Sequence, residues 1–229
     1  MEKINSDGYN LEVGPIGDSS LSDFLAKNNG NKVVIIADEN THELCVALLI
    51  GLIDELSNAE IMVLPVGEES KELFIAENVW STFIEYEITR HDLILNVGGG
   101  VICDLGGFVA SCYNRGCSFI NIPTSLLAMI DASIGGKTGI NLGKIKNKIG
   151  LFSNPSAVFI DPSFLETLPA EELLNGYAEM LKHGLISDKL LYDQVLEIVN
   201  GENALDDELL IRCITVKNDI IKKDPDEQG

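Results

Sequence analysis

Short runs of consecutive apolar, often β-branched residues alternate with stretches in which apolar positions recur every three or four residues. "KVVIIAD" (32–38) precedes "THELCVALLIGLIDEL", "IMVLPV" (61–66) precedes "SKELFIAENVWSTFIEY", "DLILNV" (92–97) precedes "VICDLGGFVASCYN", and "SFINIP" (118–123) precedes "SLLAMIDAS". A strand that is apolar at every position is buried on both faces, so this repeat predicts a parallel sheet with helices on either side. In such a sheet a ligand sits beyond the carboxyl ends of the strands.

After "AVFID" (157–161) the pattern changes. From Pro162 onward no strand is predicted. "PAEELLNGYAEMLKHGLI" and "DDELLIRCITVKNDIIKK" have helical spacing, Pro169 suits a first helical turn, and "SD" (187–188) opens a shorter helix ending near Gly201. The chain therefore divides into an α/β part, residues 1–161, and an all-helical part, residues 162–229. Three or four helices make only a meagre core by themselves, so the second part reads as the beginning of an incomplete helical domain. The closing "DPDEQG" (224–229) is polar and predicts neither helix nor strand.

The composition, 45% hydrophobic over 229 residues, is that of a globular protein. Thirty-six acidic against sixteen basic side chains give a formal charge of -20, a field that repels polyanions and excludes nonspecific nucleic-acid binding and docking on anionic membranes. "MEKINSDGYN" lacks the basic-then-apolar pattern of a leader, and the longest apolar run, "LCVALLIGLI" (44–53), falls short of the ~20 residues that span a bilayer. These features predict a cytoplasmic chain. The five cysteines are odd in number and lack CxxC spacing, which predicts mostly buried free thiols in a reducing compartment.

One window departs from the acidic average. Between Leu105 and Ile160 the only acid is Asp131, against five cations: Arg115, Lys137, Lys144, Lys146 and Lys148. Glycines shortly before Lys137 and Lys144 predict a loop that cradles a phosphate or carboxylate, rather than a solvated helix stripe. The triple glycine 98–100, between a strand and a helix, lets the backbone approach a pyrophosphate at a helix amino end. Without the spaced GxGxxG pattern, a tight structural turn explains it as well. Asp38 suits a ribose or adenine contact and a helix N-cap equally. In "GYAEMLKHG" (176–184) Glu179 lies one helical turn from Lys182 and His183, which makes either a surface salt bridge or half of a metal site, since zinc takes three or four ligands.

"GGGVICDLGGFVAS", "RGCSFINIPTSLLAMIDASIGGKTGIN", "KNKIGLFSNPSAVFID", "TLPAEEL" and "NGYAEMLKHGLI" together resemble the 3-dehydroquinate synthase family, from about residue 32 onward. The resemblance implies a Rossmann-like NAD-binding α/β domain followed by a helical domain that binds a divalent metal, zinc or alternatively cobalt, in a homodimer. It implies conversion of 3-deoxy-D-arabino-heptulosonate 7-phosphate to 3-dehydroquinate and phosphate, with NAD transiently oxidising a ring alcohol. Related sugar phosphate cyclases such as 2-deoxy-scyllo-inosose synthase share the scaffold but differ around "GGKT".

Matched position by position, the resemblance places Asp38, Asn40, Glu68, Lys71, Gly99, Gly100, Asp104, Thr124, Ser125, Lys137, Lys146, Thr167 and Leu168 around NAD. Ser125 stands where the family commonly has threonine. Asp131, Lys137, Lys146, Asn147, Lys182 and Lys217 match the substrate pocket, and Arg115 matches an arginine that reaches across a dimer to the substrate phosphate. Glu179 matches a metal ligand, whereas His183 matches none. The family's two histidine ligands lie in segments to which none of His42, His91 and His183 belongs. The given residues thus correspond to the first two thirds of the enzyme and are expected to bind NAD without turnover. Two other readings are a purely nucleotide-binding fragment and a polyol dehydrogenase of the iron-dependent alcohol dehydrogenase type.

Overall fold

The computed structural model describes residues 1–28 and 30–224. Its strands are Glu2–Asn5 (β1), Asn10–Val13 (β2), Val33–Asp38 (β3), Glu60–Leu64 (β4), Leu93–Gly98 (β5), Ser118–Pro123 (β6), Lys137–Leu142 (β7), Ile145–Phe152 (β8) and Ala157–Ile160 (β9). Seven of them form one sheet in the order β1-β2-β9-β6-β5-β3-β4, parallel throughout except for β1, which runs antiparallel to β2 at the edge. The helices are Leu21–Ala26 (α1), Glu39–Thr41 (α2), Ala47–Leu52 (α3), Leu73–Glu85 (α4), Gly100–Cys112 (α5), Ala170–Ser187 (α6), Lys189–Val199 (α7) and Asp207–Lys223 (α8).

Successive side chains of the central strands point to opposite faces, and both faces are apolar. Ile35, Leu95 and Ile120 belong to one buried cluster, while Val34, Ile36 and Ile94 belong to another beneath α4 and α5. The two-sided burial predicted from the unbroken apolar runs is present. From β3 the chain passes to edge strand β4, then crosses back to place β5 on β3's other side. That reversal opens a crevice between the carboxyl ends of β3 and β5, where open α/β sheets hold ligands.

No strand occurs after Ile160 among the described residues, as the helical spacing predicted. The helices do not rely on a core of their own. Met180, Leu191, Val195, Leu210, Ile214 and Ile221 join the same apolar cluster as Ile35, Leu95 and Leu126. Asp188 and Asp206 cap α7 and α8 by accepting from the backbone N–H groups of Leu190 and Leu209.

Three local expectations need correction. The β1–β2 hairpin was not predicted, because "EKIN" and "NLEV" are too short and polar to register as strands. The lysine-rich segment is an antiparallel hairpin, β7–β8, rather than a loop. The helix after β3 is interrupted by a wide turn over residues 42–46, and the segment after β6 widens likewise over 128–132. Residues 225–229, most of the polar "DPDEQG", lie outside the described residues.

All five cysteines are free; four are buried and Cys112 is exposed. Burial pushes the Cys45 and Cys117 thiols up to about 11 and Cys213 up to about 12, so they are inert. Among the described residues no helix is long and apolar enough to cross a membrane.

Candidate functional site

The nucleotide side of the crevice is built from strand ends. Asp38 closes β3 and caps α2: its carboxylate accepts from Thr41 N–H at 2.8 Å and from the Thr41 hydroxyl at 3.0 Å. The structure thus realises the N-cap alternative for this residue. Asn40, two residues on, is exposed. Gly99 caps α5 with no side chain bonded to its first turn, which leaves that amino end available to an anion. A Cβ at Gly99 would meet Ser125 Oγ at 3.4 Å and one at Gly100 would meet Ala132 at 3.2 Å, so the turn lies close under the β6 loop. Thr124 is buried, and its N–H donates to the Gly98 carbonyl at 3.0 Å. An uncapped helix start beside such a turn fits a pyrophosphate.

Lys71 joins this side to the hairpin. Only 3% exposed, it donates to Asp104 Oδ2 at 2.6 Å and to Asn147 Oδ1 at 2.5 Å. Burial pushes the Asp104 carboxyl up, against the pull of Lys71. Glu68, in the same turn as Lys71, accepts from Asn141 Nδ2 at 3.0 Å and stands 3.8 Å from Lys146 Nζ.

The hairpin is irregular at the point of interest. Ile140 pairs with Ile149 and Leu142 with Ile145, so β8 carries extra residues there, and Asn147 adopts φ +50° within the bulge. A bulge re-aims side chains that a regular strand would merely alternate. The lysines are accordingly divided: Lys137 and Lys148 line a cleft, Lys146 faces Glu68, and Lys144 is exposed at the turn. Of these lysines, Lys144 and Lys146 thus stand outside the cleft lining, although Lys146 is expected in the substrate pocket.

That cleft, about 420 Å³, is also lined by Asp104, Asp131, Asn147 and Lys217. Lys217 comes from α8 and bonds Asp131 at 2.6 Å. The helix approaches closely: at Gly135, with φ +98°, a Cβ would meet Ile221 at 2.7 Å, and the Gly135 N–H donates to the Tyr9 hydroxyl at 3.0 Å. Burial alone would raise the Asp131 carboxyl, but the ammonium groups of Lys217, Lys182 and Lys137 outweigh it and hold this carboxyl below the usual range.

The sign of that shift predicts an acid effect. A carboxyl whose folded value lies below the unfolded ~3.9 stabilises above that pH and loses its contribution as pH falls through the folded value. Wild type is therefore expected to exceed Asp131→Asn in stability at pH 7, with the gap closing below about pH 4. Urea midpoints of both proteins across that range check it; a constant gap contradicts the assignment.

Glu179, Lys182 and His183 follow on α6. Lys182 pairs with Glu179, and buried His183 places Nε2 3.4 Å from Glu179 Oε1, while its Nδ1 has no partner among the described residues. Burial lowers the His183 pKa despite the nearby carboxylates, so the ring is neutral. Ligand atoms of Asp131, Glu179 and His183 lie within 4.8 Å of one another. Two carboxylates and a neutral imidazole are a donor set that fits zinc or cobalt. The structure therefore groups His183 with Glu179, although the resemblance had set that pairing aside.

Other predicted residues stand apart from the cleft. Thr167 is exposed and Leu168 half-buried, both following β9 at the ligand end of the sheet. Arg115 is exposed, with φ +67°, beyond the far end of α5. A 13-residue helix is about 20 Å long, which puts Arg115 at the opposite end of the sheet from the cleft. Residue-by-residue reasoning missed Asn141, although its position opposite "GKIKN" in a two-strand reading would have drawn attention to it.

A family model described as 3-dehydroquinate synthase N-terminal matches residues 61–175. A 3-dehydroquinate synthase of Parabacteroides distasonis is 40% identical over 213 residues, covering 92% of this chain and 60% of the relative. Among solved structures, 2-epi-5-epi-valiolone synthase from Streptomyces hygroscopicus, with NAD+ and Zn2+ bound, is 30% identical with a TM-score of 0.83, covering all of this chain and 65% of that one. An iron-containing alcohol dehydrogenase of Thermococcus thioreducens, 18% identical with a TM-score of 0.66, covers 92% of this chain and 64% of that one and shares the fold alone. This chain thus spans about three fifths of the relative and about two thirds of the solved synthase.

Proposed function

Because the chain belongs to the 3-dehydroquinate synthase family, we propose that it supplies the NAD-binding domain, residues 1–161, and the first helices, from residue 162, of an enzyme converting 3-deoxy-D-arabino-heptulosonate 7-phosphate to 3-dehydroquinate and phosphate. The observation that carries the reading is one cleft in which Lys137, Lys148 and Lys217 face Asp104 and Asp131 beside the uncapped start of α5. Cations gathered at a strand-end crevice of an acidic chain suit a substrate that carries both a phosphate and a carboxylate.

Each residue has work to do in that reaction. The α5 amino end receives the pyrophosphate, with Asp38 at the mouth of the crevice toward the ribose. Lys137, Lys148 and Lys217 line the cleft and offset the anionic charge of the substrate, Lys146 does so from beside Glu68, and Lys217 holds the Asp131 carboxylate ionised, where it orients a hydroxyl and accepts or returns a proton. Glu179 would contribute to the metal position, with the Asp131 and His183 ligand atoms grouped beside it. When bound, NAD supplies the hydride acceptor and the divalent metal a Lewis acid for the hydroxyl. Arg115, at the far end of the sheet, reaches a cleft only in another copy, which supports a homodimer. The cysteine usage and acidity support a cytoplasmic setting.

Calorimetric titration is expected to show saturable NAD binding by this chain, and absence of binding refutes the reading. In a protein that contains this chain and turns over, Lys146→Ala is expected to lower phosphate release at least about tenfold, the loss for ~1.4 kcal/mol of transition-state stabilisation. Net NADH formation from glycerol would instead favour a polyol dehydrogenase, because the synthase returns its hydride.

A further inference from the structure

We propose that Asn141 is a positioning residue that locks the bulge of β8 to the Glu68–Lys71 turn and so sets where Lys146 and Asn147 stand relative to the nucleotide. The inference rests on the functional reading above.

Asn141 lies opposite the bulge, between the paired Ile140 and Leu142, where the regular ladder offers it no partner. It is 8% exposed, and its groups bond in two directions. Its backbone N–H donates to the Lys71 carbonyl at 2.7 Å and its side-chain Nδ2 to Glu68 Oε1 at 3.0 Å. Its Oδ1 accepts from Asn147 N–H at 2.8 Å. Lys71 Nζ closes the ring by donating to Asn147 Oδ1 at 2.5 Å. Two segments about seventy residues apart, the Glu68–Lys71 turn and the hairpin that carries cleft cations, are joined by the Asn141 side chain on one side and by Lys71 on the other.

The hydrogen bonds have to supply this lock because packing supplies little of it. β8 is exposed along almost its entire length, and only Ile149, at one edge of the bulge, packs in part against an apolar cluster. Asn147 also sits at φ +50°, the left-handed region, which asparagine enters more readily than most residues but which is sparsely populated outside glycine. Only an amide of this length suits the place: aspartate keeps the acceptor for Asn147 but sets a carboxylate against Glu68, and leucine loses both bonds.

The test pairs calorimetric NAD titration of the full chain with hydrogen exchange at the Asn147 amide. Asn141→Ala is expected to raise the NAD Kd about tenfold and to abolish protection of that amide. Val79→Ala, a core truncation in α4, controls for general destabilisation and is expected to change neither. Combining Asn141→Asp with Glu68→Gln restores the hydrogen bond with donor and acceptor reversed, and is expected to return Asn147 protection that Asn141→Ala lacks. Surviving protection in Asn141→Ala, or an equal loss of NAD affinity in Val79→Ala, overturns the inference. If wild type binds no NAD, the functional reading fails, and Asn147 exchange by itself then decides whether Asn141 is the lock.

Discussion

Lys71→Met is expected to destabilise the chain by about 3–5 kcal/mol at neutral pH, the range found when one partner of a buried ion pair is removed. Lys71 is 3% exposed and holds both Asp104 and Asn147. Methionine fills the space yet leaves Asp104, already raised by burial, without its compensating charge. The sign of the pH effect follows. A carboxyl with a raised folded pKa costs stability above that value and ceases to cost it as pH falls toward the unfolded ~3.9. The deficit should therefore shrink as pH falls from neutral toward about 4. Adding Asp104→Leu should recover much of the loss, since an apolar pair can replace a buried ionic one at little cost. Denaturant unfolding of the three proteins at neutral pH and at about pH 4 measures this, and equal deficits at the two would show that Asp104 carries no uncompensated charge.

Gly106→Ala is expected to cost about 3 kcal/mol, combining overpacking with a broken buried hydrogen bond. Alanine in a helix interior would ordinarily gain about 1 kcal/mol over glycine. Here a Cβ would fall far inside van der Waals contact with the side-chain oxygen of Asn96, which is fully buried on β5. Asn96 cannot move freely, because its Nδ2 donates to Asn121 Oδ1 at 2.9 Å, and Asn121 Nδ2 in turn donates to the Ser133 carbonyl at 3.1 Å. Ser133 precedes the Gly135–Gly136 turn that leads into Lys137, so the strain passes toward the cleft. Thermal unfolding should show a fall of about 6–12 °C for a chain of this size. A midpoint equal to or above wild type would show that helix propensity prevails and that α5 does not lie so close to β5.

The sheet and the helices over it were legible because burial on two faces leaves unbroken apolar runs such as "VVII" and "LILNV", and that pattern is local. The glycine turn and the cation-rich window were visible for the same reason. The helical character after Pro162 was visible too, but not its use: the apolar faces of α6 to α8 complete the core of the sheet.

The β7–β8 hairpin escaped because its strands are rich in lysine and glycine and β8 faces water, so neither alternation nor burial marks it. The division of labour among the lysines depends on a bulge, a matter of register between two strands that no single segment encodes.

By itself, the sequence determined the α/β repeat, the helical segment, and which residue types gather at the ends of the strands, since periodicity and composition act over a few neighbouring positions. Tertiary structure alone decided that Lys71 meets Asp104 and Asn147, that Lys217 meets Asp131, and that Asn141 spans the hairpin and the Glu68–Lys71 turn. Those partners lie 33 to 86 residues apart, and only strand order, bulge register and helix docking bring their charges within bonding distance.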